Sequence, residues 1–479
     1  MGKQNNRRDF LKRSTLAGAG FWIAGRGAWA DESIISKSPN EQINFASVAL
    51  GNKGGGDCTH ASRHGNMVAI CDVDTTVLDR VGNSFPKAKK YTDYRKMFDE
   101  MGKSIDAITV ATPDNTHAII SITAMKMGKH VYCQKPLAHD ILEVRQMRTF
   151  AKQYNVATQM GNQGTANDKF REGVEVIASG LLGPIREVHT WTNRPTGMWP
   201  QSPLIRELPP PAPVPPNLKW DLWLGPAPTR PYAEKYYHPQ TWRGWWDFGC
   251  GAIGDMGCHI TNMAFMGLKL GYPSAVKAES EAPNEWTYPA WAKIEYEFPE
   301  RGEMPPVKVF WYEGTKDGKL VSPPADLVRK VEVEYAALQR KDKPTTAPIP
   351  PLSSGGAIVV GDKGIMYSPS DYGGDWALLP MKSFADYKAP PQILPRMKTT
   401  VGDMDERQKI EWINAIKGGP QALSHFGYGG MLTEFVLLAN VAIRESGKRL
   451  EWDGENMKFP NTPRAEKWLR RDYRSGWEF

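Results

Sequence analysis

Between residues 43 and 160, short apolar runs alternate with stretches in which apolar residues recur at three- and four-residue spacing. Ile43–Leu50, Met67–Cys71, Ala107–Ala111, His130–Cys133 and Asn155–Met160 predict buried strands, with helices over Val77–Phe85, Arg95–Met101, Ala118–Met127 and Leu142–Tyr154 between them. Apolar strands separated by amphipathic helices suit a parallel sheet covered on both faces, so a doubly wound α/β domain is expected. Beyond residue 185 the pattern changes. Ile185–Thr192 predicts a strand, and P-P-P-A-P-V-P-P (209–216) a stiff extended loop. Apolar and charged residues alternate in Trp291–Phe298 and Val307–Tyr312, as in antiparallel strands with one wet face, and Met431–Arg444 predicts a late apolar helix. A second α/β domain with a large, mainly antiparallel open sheet is expected, carrying at about 314–352 a Pro- and Lys-rich insertion without a core of its own.

The chain of 479 residues is long enough for two domains, and 41% hydrophobic with 24% charged residues is the balance of a globular protein. Its net charge of +7 suggests a polyanion partner until the charge is located. Residues 1–30 carry +5 of it, leaving +2 for the rest, so no nucleic-acid partner is expected. That leader reads N-R-R-D-F-L-K-R-S, then an apolar stretch from Thr15 to Ala24, then A-W-A before Asp31. Paired arginines, a weakly apolar stretch and a small-x-small site match a twin-arginine export signal cut after Ala30. The apolar stretch falls short of the roughly 20 residues that span a bilayer, so no stable membrane span is expected. Export by the twin-arginine translocase would deliver a folded protein, its cofactor tightly bound, to the periplasm or another extracytoplasmic compartment. The five cysteines show neither a disulfide framework nor zinc spacing, and no metal is expected. The division expected is therefore a signal at 1–30, a linker at 31–40, a nucleotide-binding domain at 41–164 and a substrate domain at 165–479.

The nucleotide assignment rests on L-G-N-K-G-G-G-D (50–57), where the first strand meets the first helix. Glycines there let backbone approach a pyrophosphate held on helix N–H groups. Gly51 and Gly54 fit the second and third glycines of G-x-G-x-x-G, with Ala49 in place of the first; Asn52 and Lys53 complete the candidate cradle. Asp72 ends the second strand about 20 residues later, where a carboxylate accepts ribose hydroxyls. No Arg follows it to offset a 2′-phosphate, which favours NAD over NADP; Asp74 reads as a solvated loop carboxylate. V-A-T-P-D-N-T-H (110–117) and H-V-Y-C-Q-K-P-L-A (130–138) lie where parallel strands deliver residues to their carboxyl ends. Thr112, Pro113, Asn115, His117, Gln134 and Lys135 are therefore cofactor-side candidates, and Lys135 is also a candidate to hold an alkoxide.

Taken as one helix, Gly249–Gly267 puts Asp255, His259 and Asn262 on a single face, at i, i+4 and i+7. Oxidation of a carbinol needs a base for the hydroxyl proton. A neutral His oriented by a carboxylate can take it while Lys135 stabilises the negative oxygen. Upstream, W-R-G-W-W-D (242–247) offers Arg243 and Trp245 as substrate contacts, Trp faces suiting the C–H faces of sugar rings.

The glycine loop, A-T-P-D-N-T-H, Q-K-P and G-C-G-A-I-G-D-M-G-C-H-I-T-N (249–262) stand in the order found in the Gfo/Idh/MocA family, which the chain resembles over about residues 41–300. That family is named for glucose–fructose oxidoreductase, inositol dehydrogenase and a rhizopine-catabolism protein. The resemblance implies a Rossmann domain joined to an α/β domain whose open sheet often builds a homo-oligomer. It also implies a catalytic group of Lys135, Asp255 and His259. Gln134 replaces the usual Glu of E-K-P, and Asn262 the last Asp of D-x-G-x-H-x-x-D, where it is a substrate-binding candidate. The function expected is NAD(P)-dependent oxidation or reduction, NAD being favoured, at a hydroxyl or keto group of a sugar, polyol or glycoside. Two other readings stand beside it: glycoside cleavage through transient oxidation and elimination, and sugar binding without catalysis.

Overall fold

The computed structural model describes residues 42–194, 205, 207–340 and 348–478; the arginine-rich leader lies outside them. Six strands, β1 (Ile43–Val48), β2 (Gly65–Cys71), β3 (Lys89–Tyr91), β4 (Ala107–Val110), β5 (His130–Gln134) and β6 (Thr158–Gly161), form a parallel sheet in the order β3-β2-β1-β4-β5-β6. The order reverses at the β1/β4 junction, which opens a crevice beyond the carboxyl ends of the strands. Every residue of β4 and β6 is buried, as a sheet with helices on both faces demands. The helices of this unit are α1 (Lys53–Ser62), α2 (Thr75–Gly82), α3 (Tyr94–Met101), α4 (His117–Lys126) and α5 (Ile141–Gln153). Asp74 starts α2 two residues earlier than apolar spacing suggests, because its side chain caps the N–H groups of Thr76 and Val77.

After α6 (Asp168–Ala178), β7 (Ile185–Thr192) enters a nine-stranded sheet with β8 (Ala275–Ser280), β9 (Trp291–Phe298), β10 (Val307–Lys316), β11 (Lys319–Leu320), β12 (Gly355–Gly361), β13 (Gly364–Ser368), β14 (Ala377–Leu379) and β15 (Arg449–Glu451). All its pairings are antiparallel except β7 with β10. In β9, Ala292, Ile294, Tyr296 and Phe298 point into the core while the alternate residues stay half-exposed. The short helix α7 (Trp220–Leu224) and then α8 (Gly251–Ile260) and α9 (Asn262–Gly267) come between β7 and β8.

Within 314–352 the described residues continue β10, add β11 and form α10 (Ala325–Gln339), whose Ala336 is buried and whose Val331 lies in one cluster with Trp191, Tyr312 and Tyr367, so the stretch packs on the core of the second sheet. One expectation is corrected. The whole chain after residue 165 does not stay with the second sheet. Helix α11 (Met404–Ile416) returns to the first one, where Trp412 packs between Phe45 and Tyr132, because Trp412 and Ile413 join the apolar cluster that α1 and α2 form on that face of the sheet. Helix α12 (Phe426–Arg444) is the one described helix long and apolar enough to cross a membrane, and 83% of its most apolar stretch is buried inside the fold.

Candidate active site

The glycine loop is built from backbone conformation. Ala49, in the place of the first glycine, has φ 65° and Asn52 has φ 45°, both left-handed. A side chain there costs about 1 kcal/mol, so the first Gly is dispensable at modest expense. Gly54 is not: a Cβ would lie 2.2 Å from the Ala49 carbonyl oxygen, where α1 presses on the end of β1. Gly51 has open space on its Cβ side. Asp72 accepts the Leu50 N–H at 2.7 Å and the Asp74 N–H at 2.9 Å, so it orders this loop as well as offering spare lone pairs beside it. Asp74 is no solvated carboxylate. Besides capping α2 it accepts from the Asn217 amide at 2.8 Å, pinning the proline-rich strap to the nucleotide domain.

The A-T-P-D-N-T-H turn follows β4. Thr112 Oγ1 and Asn115 Oδ1 are buried there without a hydrogen-bond partner, and both are polar atoms that a bound dinucleotide could satisfy. Other groups of this turn hold the fold together. The Asn115 amide donates to the Leu224 carbonyl at 3.0 Å. His117 lies between the carbonyls of Pro136 (2.8 Å) and Thr112 (2.9 Å), tying the two loops together. Burial outweighs those carbonyls and lowers the His117 pKa to about 4, so the ring is neutral. Gln134 does not face the crevice either: its amide donates to Asp57 Oδ2 at 2.7 Å, in a buried group where Asp57 also meets Lys53 (2.6 Å) and Lys409 (2.5 Å).

Lys135, next to Gln134, reaches across to α8 of the second domain. Its Nζ donates to the Asp255 backbone oxygen at 2.6 Å and to Asp255 Oδ1 at 2.7 Å. Arg243 Nε donates to the same carboxylate oxygen at 3.2 Å, and an Arg194 guanidinium nitrogen lies 3.9 Å from Oδ2. Burial would raise the Asp255 pKa, but Lys135, then Arg243, overcome it and hold the group ionised well below the usual carboxylate range. His259, one turn along α8, has its pKa lowered far below its ordinary value, by burial first and by Lys135 second. It is a neutral imidazole, its Nδ1 buried without a partner and its ring packed edge-on to Tyr372. The expected Asp255–His259 hydrogen bond is absent among the described residues, since the carboxylate is taken up by cations.

Two further candidates leave the site. Asn262 is buried and accepts the Tyr428 hydroxyl at 2.6 Å, bracing α9 against α12. Trp245 is fully buried among Tyr237, Trp223 and Phe248, and its indole N–H donates to the Tyr236 carbonyl at 2.7 Å. Asp114 enters instead. It is fully buried, accepts the Cys250 N–H at 3.1 Å, and burial, opposed by Arg243 and Lys135, pushes its pKa up to about 7. Its signal was in plain view as the one carboxylate of A-T-P-D-N-T-H. Arg194 and Lys409 carried no comparable mark.

Residues 45–162 match the family described as "Oxidoreductase family, NAD-binding Rossmann fold", and residues 167–305 match "Oxidoreductase family, C-terminal alpha/beta domain". Among curated relatives, a "Glycosyl hydrolase family 109 protein" of Shewanella pealeana is 25% identical over 202 residues, 38% of this chain and 44% of that protein. A "Myo-inositol 2-dehydrogenase" of Thermotoga maritima is 27% identical over 117 residues, 24% of this chain and 34% of that protein. The matches thus span less than half the length of these relatives. Among solved structures, the WlbA dehydrogenase of Bordetella pertussis, in complex with NADH and UDP-GlcNAcA, superposes with a TM-score of 0.55 at 16% identity, covering 86% of this chain and 99% of that one. The likeness is one of fold. With both domains matched, over more than half of its length, the chain belongs to the Gfo/Idh/MocA oxidoreductase family.

Proposed function

We propose that the protein is a nicotinamide-dependent oxidoreductase acting on a CH–OH group of a sugar, polyol or glycoside. The observation that carries this reading is the Lys135–Asp255 pair, with neutral His259 one helical turn away, at the carboxyl end of a parallel sheet whose glycine loop suits a dinucleotide. Gly51, Asn52, Lys53 and Gly54 would hold the pyrophosphate, Asp72 a ribose, and Thr112 Oγ1 a further polar group. A bound nicotinamide would supply the hydride acceptor. Lys135 then stabilises the negative charge growing on the substrate oxygen, fixed for that task by its two bonds to Asp255. His259, held neutral, accepts the hydroxyl proton.

Glycoside cleavage, in which transient oxidation precedes elimination of the aglycone, is a second reading, favoured by the relatives named for glycosyl hydrolase family 109. One experiment separates the two. Nucleotide released from the denatured protein is identified by mass spectrometry, and NAD-supplemented protein is offered aldoses, polyols and aryl glycosides. Reduced nicotinamide supports the first reading and released aglycone without net reduction the second. A protein that neither retains nor binds NAD contradicts both.

The leader carries a second proposal, that the protein is exported folded by the twin-arginine route to the periplasm. The paired Arg7 and Arg8 before an apolar stretch motivate it. Changing both to Lys should keep the precursor in the cytoplasm; unimpaired export of that double variant would contradict it.

A further inference from the structure

The crevice holds a cation that has to share its carboxylate oxygen with another. Lys135 is satisfied by Asp255 at 2.7 Å, and Arg194 lies 3.3 Å from Asp371. Arg243 is the third cation. Its Nε shares the Asp255 oxygen already taken by Lys135, and its NH1 reaches only the Gln240 carbonyl, at 3.3 Å. Its NH2 finds no partner among the described residues. The guanidinium lies 4.4 Å over the Trp242 ring, which fixes its plane, and the side chain stays 30% exposed where Asp255 is 9% exposed. The remaining carboxyl nearby, Asp114, is turned to the Cys250 N–H and kept from full ionisation by burial.

A neutral sugar closing over this site would strip water from the guanidinium and leave it only the Asp255 oxygen that it shares with Lys135, a costly arrangement. A planar fork of N–H donors held in a fixed plane matches a carboxylate in two parallel hydrogen bonds. The nucleotide's phosphates have a place of their own at the glycine loop and the N-terminus of α1, and none of the hydrogen bonds of Arg243 goes there. Lys135 and Arg243 meet at one carboxylate oxygen, so groups bound by the two lie as close as substituents of a single sugar ring.

We propose that the substrate is an acidic sugar, its carboxylate held by Arg243 with Arg194 alongside, and its reacting hydroxyl at Lys135. This rests on the function proposed above and adds the substrate class to it.

The test titrates the NAD-loaded protein, followed by tryptophan fluorescence, with matched pairs: glucuronate against glucose, and galacturonate against galactose. A phosphorylated aldose is the third arm. At least one acid should bind about 10- to 100-fold more tightly than its neutral partner, the scale of a hydrogen-bonded charge pair. Arg243→Gln should bring that ratio close to one, and Arg243→Lys, which keeps the charge and loses the fork, should retain part of it. Melting curves of both variants establish that they are folded. Equal binding within each pair, binding of neither member, or tighter binding of the phosphorylated sugar overturns the inference. Rapid NAD reduction by neutral aldoses would overturn it too while leaving the oxidoreductase reading in place. An acid that binds through Arg243 and is never oxidised would do the reverse.

Discussion

Replacing Lys409 by Met is expected to destabilise the fold by about 3–5 kcal/mol, because the fully buried Asp57 carboxylate loses its nearest cation. Lys409 comes from α11 and Asp57 from α1, so this contact also fastens the returning C-terminal helix to the glycine loop. Burial, opposed by Asp57, lowers the Lys409 pKa to about 8, which still leaves an ammonium at neutral pH. Burial would likewise raise Asp57, but Lys409 and then Lys53 hold it at about 2, below its ordinary 3.8. A carboxyl depressed in the native state contributes stability above its unfolded pKa and loses it as pH falls through the folded one. In the native protein that window lies between 3.8 and about 2. With Lys409 gone, Lys53 opposes the burial cost by itself and the native pKa rises. The deficit should therefore be largest near neutral pH and shrink as pH falls through that window, where the unmutated protein loses the contribution of the ionised carboxylate. Denaturant titrations at neutral and acid pH check this. A deficit that is independent of pH would assign the loss to packing against Tyr132, over whose ring the ammonium lies at 3.7 Å.

The second large effect is on turnover. Lys135→Met should lower it by about 100- to 1000-fold, the scale of removing a donor aimed at a developing negative charge. His259→Ala should cost about 100-fold or more, the scale of a positioned base. The double variant should be little worse than the poorer single, since groups that act together on one oxygen are not additive. NAD retention should change little in any of them, because the nucleotide is proposed to be held mainly by the glycine loop and Asp72. Asp255 keeps Arg243 after the Lys135 change, so the loss of stability should be smaller than for Lys409→Met. A fall in melting temperature with specific activity intact would give Lys135 and His259 a purely structural role.

The parts of this architecture that were legible in the sequence are those set by local pattern. Continuous apolar runs announced β1, β2, β4 and β5, and alternation announced β9 and β10. The glycine loop could be read because Gly54 is required sterically, even with Ala49 in the first position. Lys135, Asp255 and Arg243 do meet. What was not legible depends on partners far away in the chain. Gln134 looked like a cofactor residue until Asp57 and Lys409 stood beside it, and Asn262 like a crevice residue until Tyr428 claimed it. Trp245 had the composition of a sugar platform and the surroundings of a core. Nothing local distinguishes α11 as a helix of the first domain, since Trp412 finds Phe45 only after more than 360 residues of intervening chain. The Asp255–His259 pairing failed for an electrostatic reason: three cations compete for one carboxylate, and a neutral imidazole loses.

The measurement that bears most directly on the proposed chemistry is a single-turnover experiment on NAD-loaded protein, following absorbance of the reduced nicotinamide after mixing with a sugar that the protein binds. Reduced nicotinamide should appear in a rapid phase, slowed when the carbinol C–H is deuterated and abolished or slowed about 100-fold in His259→Ala. Binding of the sugar with no reduced nicotinamide formed, even transiently, in the wild-type protein would contradict it.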